Sequence, residues 1–410
     1  MKKQRAHTAH WANQLIFLTG LLFCMASVHA QAPAPATLRA EVHKPLTAAQ
    51  EAMKNNQMDQ ALSLTREALS VSQLTPMERA FVMRTQAAAA VRAKNWDLAI
   101  ESLEYLVVSP DVPQADKRSM LESLMNASLQ KKDNARAVKW GRQYLQDGGT
   151  NPGIRLAMIQ TLSVMGEHKQ VLQEVQEKMR LDAAAGQKTP EQELRLMAIS
   201  YRQLKDDAGY MSTLKRLVND YPTKAYWVEV IGRMSQQPGL NPRQELNLYR
   251  LLEQTGNMEE VDEYIEMANL ATKAGLPAEA LRVLDKGFEQ GVLGKGADAV
   301  AHNKLRAEAQ KKSQEDARSF AQLEKSAKDA ATWAAVADVY FSQKNWTAAH
   351  AAYAKALEFG GSRRENELRL HDAISLFQLG QKDSARQQWG AIKGDVVWSD
   401  MANLWTILGR

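Results

Sequence analysis

The chain of 410 residues contains a single cysteine, Cys24, and that residue lies in the apolar core of an N-terminal leader. With no thiol beyond the leader there is no disulfide, no thiolate metal site and no thiol nucleophile. No Gly-x-Ser-x-Gly occurs, so the nucleophile elbow of serine hydrolases is absent too. His43, His168, His302, His350 and His371 stand alone, with no His-Glu-x-x-His and no second ligand one helical turn away, which argues against a metal centre. GVLGKGAD, Gly291 to Asp298, follows a helical stretch and lacks the spacing of a phosphate loop; it reads as a turn between repeats. Glu259-Glu260 and Asp206-Asp207 read as solvated helix ends. No enzymatic activity and no cofactor are expected.

The leader accounts for most of the charge imbalance. Lys2, Lys3 and Arg5 precede the apolar run Leu15 to Ser27, and Val28-His29-Ala30 opens into QAPAPA. A basic start, an apolar core of about a dozen residues and a small-residue exit form a secretory signal, and cleavage is expected after Ala30. The core is shorter than the roughly twenty residues of a membrane-spanning helix, so no integral span is expected in the mature chain. Phe23 stands before Cys24 where a lipoprotein carries a small residue. Losing three cations and no acid takes the formal charge from +5 to +2, with 49 basic against 47 acidic residues. Nucleic acid is therefore not an expected partner.

What is present is repetition. KNWTAAHAAYAKAL, Lys344 to Leu357, echoes KNWDLAIESLEYLV, Lys94 to Val107. Before the later copy, Trp333, Val336, Ala337 and Tyr340 fall at helical spacing, and within it, after the turn, so do Ala349, Tyr353 and Ala356. Two short amphipathic helices meeting face to face, with small residues at their closest approach, resemble the tetratricopeptide repeat, a helical hairpin of about 34 residues.

The same grid extends over the chain. Ala48, Ala49, Ala52, Ala61 and Ala68 mark one unit, and Met83, Ala87, Ala90, Ala99, Leu103 and Leu106 the next. Leu121, Leu124, Met125, Ala137 and Tyr144 follow, then Met158, Ile159, Leu162, Val171 and Val175. Leu194, Met197, Ala198 and Tyr201 pair with Leu214 and Leu217 and close at Pro222. Trp227, Val230 and Ile231 begin a unit with a long turn, QQPGLNP; Tyr264, Met267, Ala268 and Ala271 lead to Ala280 and Leu284. Leu305 and Ala317 are assigned to a degenerate hairpin, and Leu370, Ala373 and Leu376 to a last one with Ala385 and Trp389. The expected fold is all-α, an α-solenoid of about ten hairpins, since each hairpin buries one face against its neighbour. Expected boundaries are a signal over 1–30, a linker over 31–40, arrays over 41–237 and 238–393, and a capping helix over 394–410. The cap carries Trp398, Met401, Leu404, Trp405 and Leu408 as an apolar stripe.

In tetratricopeptide proteins the first helix of each repeat lines a concave groove. On that projection Arg84, Arg92, Arg195, Arg202, Lys273 and Arg306 face the groove with Asn126, Asn269 and the acids Glu122, Asp262 and Asp338. The modest basic excess fits an extended or helical protein segment with acidic groups.

A narrower resemblance lies between Leu194 and Ile392. LVNDYPTKAYWVEVIGRM, AGLPAEALRVLDKGFEQGVL and NWTAAHAAYAKALEFGG resemble periplasmic tetratricopeptide proteins described as components of TonB energy-transduction systems. The matching residues are Pro222 with Trp227, Gly275 with Pro277 and Ala280, and Ala356 and Leu357 with Gly360 and Gly361. PGLNP replaces the short Leu-Gly turn usual after the tryptophan. The resemblance implies a periplasmic, non-catalytic accessory of TonB-dependent nutrient and iron uptake, with TonB, ExbB, ExbD or a TonB-dependent receptor as protein partners. A periplasmic scaffold for cell-wall, polysaccharide-export or outer-membrane assembly proteins is the alternative, and neither fixes the oligomeric state.

Overall fold

The structure, a computed structural model, describes residues 38–409. The leader, its expected cleavage point after Ala30 and most of the expected linker lie outside the described residues. Twenty helices and no strand are found among the described residues, and the fold is an α-solenoid of helical hairpins.

The KNW stretches show how each hairpin turns. Lys94 and Lys344 end their helices in the left-handed region, at φ 56° and 58°. Asn95 and Asn345 then cap the next helix, accepting hydrogen bonds from the amides of Leu98 and Ala348 at 3.2 and 3.3 Å, and the tryptophan takes the first helical position. Lys132-Asp133 and Lys205-Asp206 repeat the device. Gly166, Gly275 and Gly380 fill the left-handed position in three other hairpins, φ 76° to 79°, where a glycine meets no Cβ penalty.

The chain forms two compact units, divided between Tyr210 and Met211. In the first unit four hairpins follow one another: α1 (Ala40–Lys54) with α2 (Met58–Leu69), α3 (Pro76–Arg92) with α4 (Trp96–Val108), α5 (Gln114–Gln130) with α6 (Asn134–Gln146), and α7 (Pro152–Val164) with α8 (His168–Ala184). Next come α9 (Glu191–Gln203) and the start of α10 (Asp207–Asp220). Their repeat positions are buried, Ala61, Ala90, Ala99, Leu124, Ala137 and Met158 among them, whereas Ala48 is exposed. Helix α6 approaches α5 so closely that a Cβ at Gly141 would meet Met125 Sδ at 2.8 Å. Ion pairs about one repeat apart join successive hairpins: Arg84 to Asp116 at 2.8 Å and Arg136 to Glu104 at 3.2 Å.

In the second unit α11 (Lys224–Ser235) pairs with α12 (Pro242–Gln254), α13 (Val261–Lys273) with α14 (Pro277–Glu289), α16 (Ala330–Ser342) with α17 (Trp346–Phe359), and α18 (Glu365–Gln378) with α19 (Lys382–Gly390). Between α14 and α16 the expected degenerate hairpin is instead one helix, α15 (Ala299–Ser326), 28 residues long. Leu305 and Ala317 lie on this helix because KKSQED between them carries neither glycine nor proline to turn the chain. The last helix, α20 (Val396–Leu408), is the expected cap. Its Trp398, Met401, Leu404 and Trp405 are buried, and Trp405 stacks on Trp389 with ring centroids 6.3 Å apart.

Candidate functional site

Helix α12 also reaches across its unit to α18. Arg243 Nη1 donates to Glu367 at 2.9 Å, Asn247 Oδ1 lies 2.8 Å from His371 Nε2, and Gln378 donates to Gln254 at 3.0 Å. All three pairs are separated by 124 residues, and a constant offset means that the two helices run parallel and in register. Arg243, Asn247, Arg250 and Gln254 fall at i, i+4, i+7 and i+11, one stripe of a helix.

The interior of this seam is polar and nearly saturated. Arg250 makes a bidentate pair with Glu279 at 2.9 and 2.6 Å, packs over Phe341 with its guanidinium carbon 5.0 Å from the ring centroid, and sets Nη1 2.8 Å from His371 Nε2. His371 is thus a satisfied core group. On its other side His371 Nδ1 lies 3.1 Å from the Tyr353 hydroxyl, which donates to Asp338 at 2.8 Å. Arg364 joins Asp338 at 2.7 Å to Glu367 at 2.8 and 3.0 Å.

Burial opposes the charge on Asp338 and Glu367, yet contact with His371 and Arg364 outweighs it and holds both carboxyls below their ordinary range. Burial likewise opposes the Arg250 cation, and Glu279 more than restores it. For His371 burial prevails, and Arg250 reinforces it against the pull of Asp338 and Glu367, so its pKa is lowered. Tyr353 is pushed well up, first by burial and then by Asp338.

Where the seam meets the N-terminal ends of α12 and α18, a cleft of about 810 Å³ opens, within the range of ligand sites. Arg243 and Arg364 line it from the seam, already paired; Lys273, Arg363 and Lys393 line it from the surrounding helix ends and turns. These three are exposed and make no ion pair or side-chain hydrogen bond among the described residues. The acids of the lining are engaged: Glu367 by the two arginines, Glu365 by Arg369 at 2.8 Å, and Asp395 by the amides of Val397 and Trp398 at 2.9 and 3.1 Å.

The expected groove residues do not form one cluster. Arg84 and Arg92 lie on α3, Asn126 on α5, and Arg195 and Arg202 on α9, all first helices of hairpins in the first unit. Arg84 is taken by Asp116 and Arg92 reaches Asn56 Oδ1 at 3.4 Å, so both join neighbouring hairpins. In the second unit Asn269 and Lys273 share α13, and Arg306 on α15 pairs with Asp285 at 2.6 Å over the Phe288 ring. Asp338 lies in the interior rather than on an open face, since Tyr353 and Arg364 draw it into the seam. Only Lys273 and Asp338 belong to the neighbourhood of the cleft. Arg243, Arg250, Arg363, Arg364, Glu367 and Lys393 were not singled out by the sequence; the available signal was polar residues, Asn247 and Arg250, placed among Leu246, Leu248 and Leu251 on a buried helix.

Among the described residues no group of three or more His, Cys, Asp or Glu side chains is placed to hold a metal, and no helix is long and apolar enough to cross a membrane.

No family model and no curated protein matches the chain. Among solved structures it is similar to the TPR2AB domain of yeast Sti1 in complex with pHSP90, at 16% identity and TM-score 0.33, covering 66% of this chain and 98% of that one. It is also similar to a tetratricopeptide repeat protein from Parabacteroides merdae ATCC 43184, at 10% identity and TM-score 0.31, covering 82% and 99%. Yeast Tom70 matches at 12% identity and TM-score 0.24, covering 90% and 95%. At these scores the functional reading rests on this chain's own residues.

Proposed function

We propose that this protein is a non-catalytic, protein-binding scaffold of the periplasm and an accessory component of TonB-dependent energy transduction and nutrient uptake. The observation that carries the scaffold reading is the stack of hairpins itself: successive hairpins are joined by ion pairs about one repeat apart, Arg84 to Asp116 between first helices and Arg136 to Glu104 between second helices. Within each unit such hairpins offer a repeated helical surface to a partner chain. Export is supported by the sequence of the leader, with cleavage expected after Ala30. The TonB assignment is supported by the order of the three motifs between Pro222 and Gly361.

In-cell crosslinking of the tagged protein under iron limitation, followed by mass spectrometry of captured proteins, tests this reading. Enrichment of TonB, ExbB, ExbD or a TonB-dependent receptor is expected. Capture of cell-wall, polysaccharide-export or outer-membrane assembly proteins without them overturns the TonB assignment and keeps the scaffold.

A further inference from the structure

The cleft at the head of the seam concentrates positive charge in a way the fold does not require. Because α12 and α18 run parallel and in register, their N-terminal ends lie side by side, and Asn241 to Arg243 of one and Arg363 to Glu367 of the other line the same space. The N-terminus of α20 joins them through Asp395 and Trp398. Each helix has 13 or 14 residues and points the positive end of its dipole at the cleft; Asn241 already caps α12 and Asp395 caps α20, so α18 is the end left without a side-chain cap. Helices α13 and α19 end here as well, and the lysines beside their ends, Lys273 and Lys393, offset the negative poles. At the start of α18 the Glu365 amide donates to the Ser362 carbonyl at 3.1 Å, and the first-turn amides after it are the ones placed to donate to an anion.

The side chains add to this field. Arg243 and Arg364 are fixed at the floor by Glu367 and Asp338, and Lys273, Arg363 and Lys393 have no carboxylate of their own. Three cations lining one recess without carboxylate partners make it favourable to an anion. The space of about 810 Å³ is wider than a single ion needs and open to a chain segment. The balance differs at the neighbouring recess along α14, where Arg282, Lys286 and Lys344 are met by Glu253, Asp285 and Glu289.

We infer that this cleft binds an acidic segment of a partner protein, its aspartate or glutamate carboxylates bridging Lys273, Arg363 and Lys393. The inference rests on the scaffold reading but is independent of which envelope system the scaffold serves. Arg243 and Arg364 preset the floor, and the three free cations supply the charge-assisted bonds.

The test is fluorescence anisotropy with a labelled peptide of alternating glutamate and glycine, against its glutamine counterpart. The full chain is expected to bind the glutamate peptide in preference, with affinity falling as salt rises. Lys273→Glu with Arg363→Glu and Lys393→Glu is expected to weaken binding by about tenfold or more, while Lys273→Arg with Lys393→Arg retains it. The thermal midpoint should stay unchanged in the arginine variant and fall only slightly in the triple reversal, where glutamates replace the lysines at the ends of α13 and α19; the unfolding transition stays cooperative in both. Equal binding of the two peptides, or undiminished binding by the triple reversal, overturns the inference. If instead Arg195→Glu with Arg202→Glu abolishes binding while the triple reversal does not, the cleft is overturned and the scaffold reading stands. Failure to capture TonB proteins, with peptide binding intact, overturns the TonB assignment and leaves the cleft.

Discussion

Arg250 and His371, 121 positions apart in the chain, meet with Nη1 2.8 Å from Nε2 in the interior of the second unit. The same Nε2 lies 2.8 Å from Asn247 Oδ1. One imidazole nitrogen thus faces a donor and an acceptor at equal distance, and each neutral tautomer satisfies one of them. The ring stacks on Phe341 with centroids 4.6 Å apart and is enclosed by Arg250, Tyr353, Asp338 and Glu367.

Burial, with help from Arg250, lowers the His371 pKa below its ordinary 6.5. A histidine whose folded value is depressed gives stability that is complete above the unfolded value and is lost as pH falls toward the folded one. The urea midpoint of the full chain is therefore expected to hold above about pH 7 and to fall below about pH 6.5. In His371→Gln that part of the slope should disappear. A slope identical to the parent's would assign it to other groups.

Arg250→Ala leaves the buried Glu279 carboxylate with only the longer contact to Arg282, at 3.6 Å, and is expected to cost about 3 kcal/mol. Arg250→Met combined with Glu279→Leu removes both charges and should regain most of that loss. Urea unfolding of the two variants, followed by tryptophan fluorescence, measures the difference. Equal losses in both would mean that shape rather than charge sets the seam.

Glu193 in the first unit is buried, and its Oε2 has no hydrogen-bond partner among the described residues. Burial raises its pKa above 4.5, with Asp182 adding to the rise and Lys178 and Arg155 opposing it. A raised carboxyl favours folding while protonated, and that contribution is lost as pH rises through the folded value. Glu193→Gln should accordingly raise the thermal midpoint at neutral pH and leave it little changed below pH 4. Calorimetry at the two pH values reads both effects.

Lys132 holds a φ of 63° at the turn between α5 and α6 and is exposed. Lys132→Gly removes the steric cost of a Cβ there, on the order of 1 kcal/mol, less the added freedom of the unfolded glycine. A rise in the urea midpoint by a few tenths of a kcal/mol up to about that limit is expected. The same substitution at Lys139 in the middle of α6, where the backbone is helical, should lower it.

The hairpins were legible because their signal is local. Small residues such as Ala61, Ala90 and Ala349 recur at helical spacing, and turn residues such as Gly275 and Asn345 act within one turn of where they stand. The motifs that carry the narrower resemblance are of this kind too: Gly275 takes the left-handed turn, Pro277 the first helical position, and Gly360 and Gly361 end α17 with positive φ. Three things escaped. The helix α15 replaced an expected hairpin because residues with helix-like spacing do not by themselves announce a turn. Asp338 was placed on the groove because a charged residue on a first helix looks solvated until its distant partners are known. The seam of Arg243, Asn247 and Arg250 was hidden for the same reason, since its partners lie more than a hundred positions away and leave no local pattern.

Helix α15 finally acts as a phase gauge. Beyond Ala309 most of its residues are exposed, and it touches α16 through Phe320 against Tyr340 and Glu324 on the Tyr340 hydroxyl. Composition there is free to vary, but length is not. A helix rotates by about 100° per residue, and α12 must still find α18 at an offset of 124 residues after the chain has passed through α15. Removing one residue from the exposed stretch would swing everything downstream out of phase with the seam, whereas removing a near-whole turn would shorten the spacer and almost preserve its angle. The second unit is therefore tolerant of substitution at the exposed positions of α15 that make no contact and intolerant of insertions or deletions that are not close to whole turns.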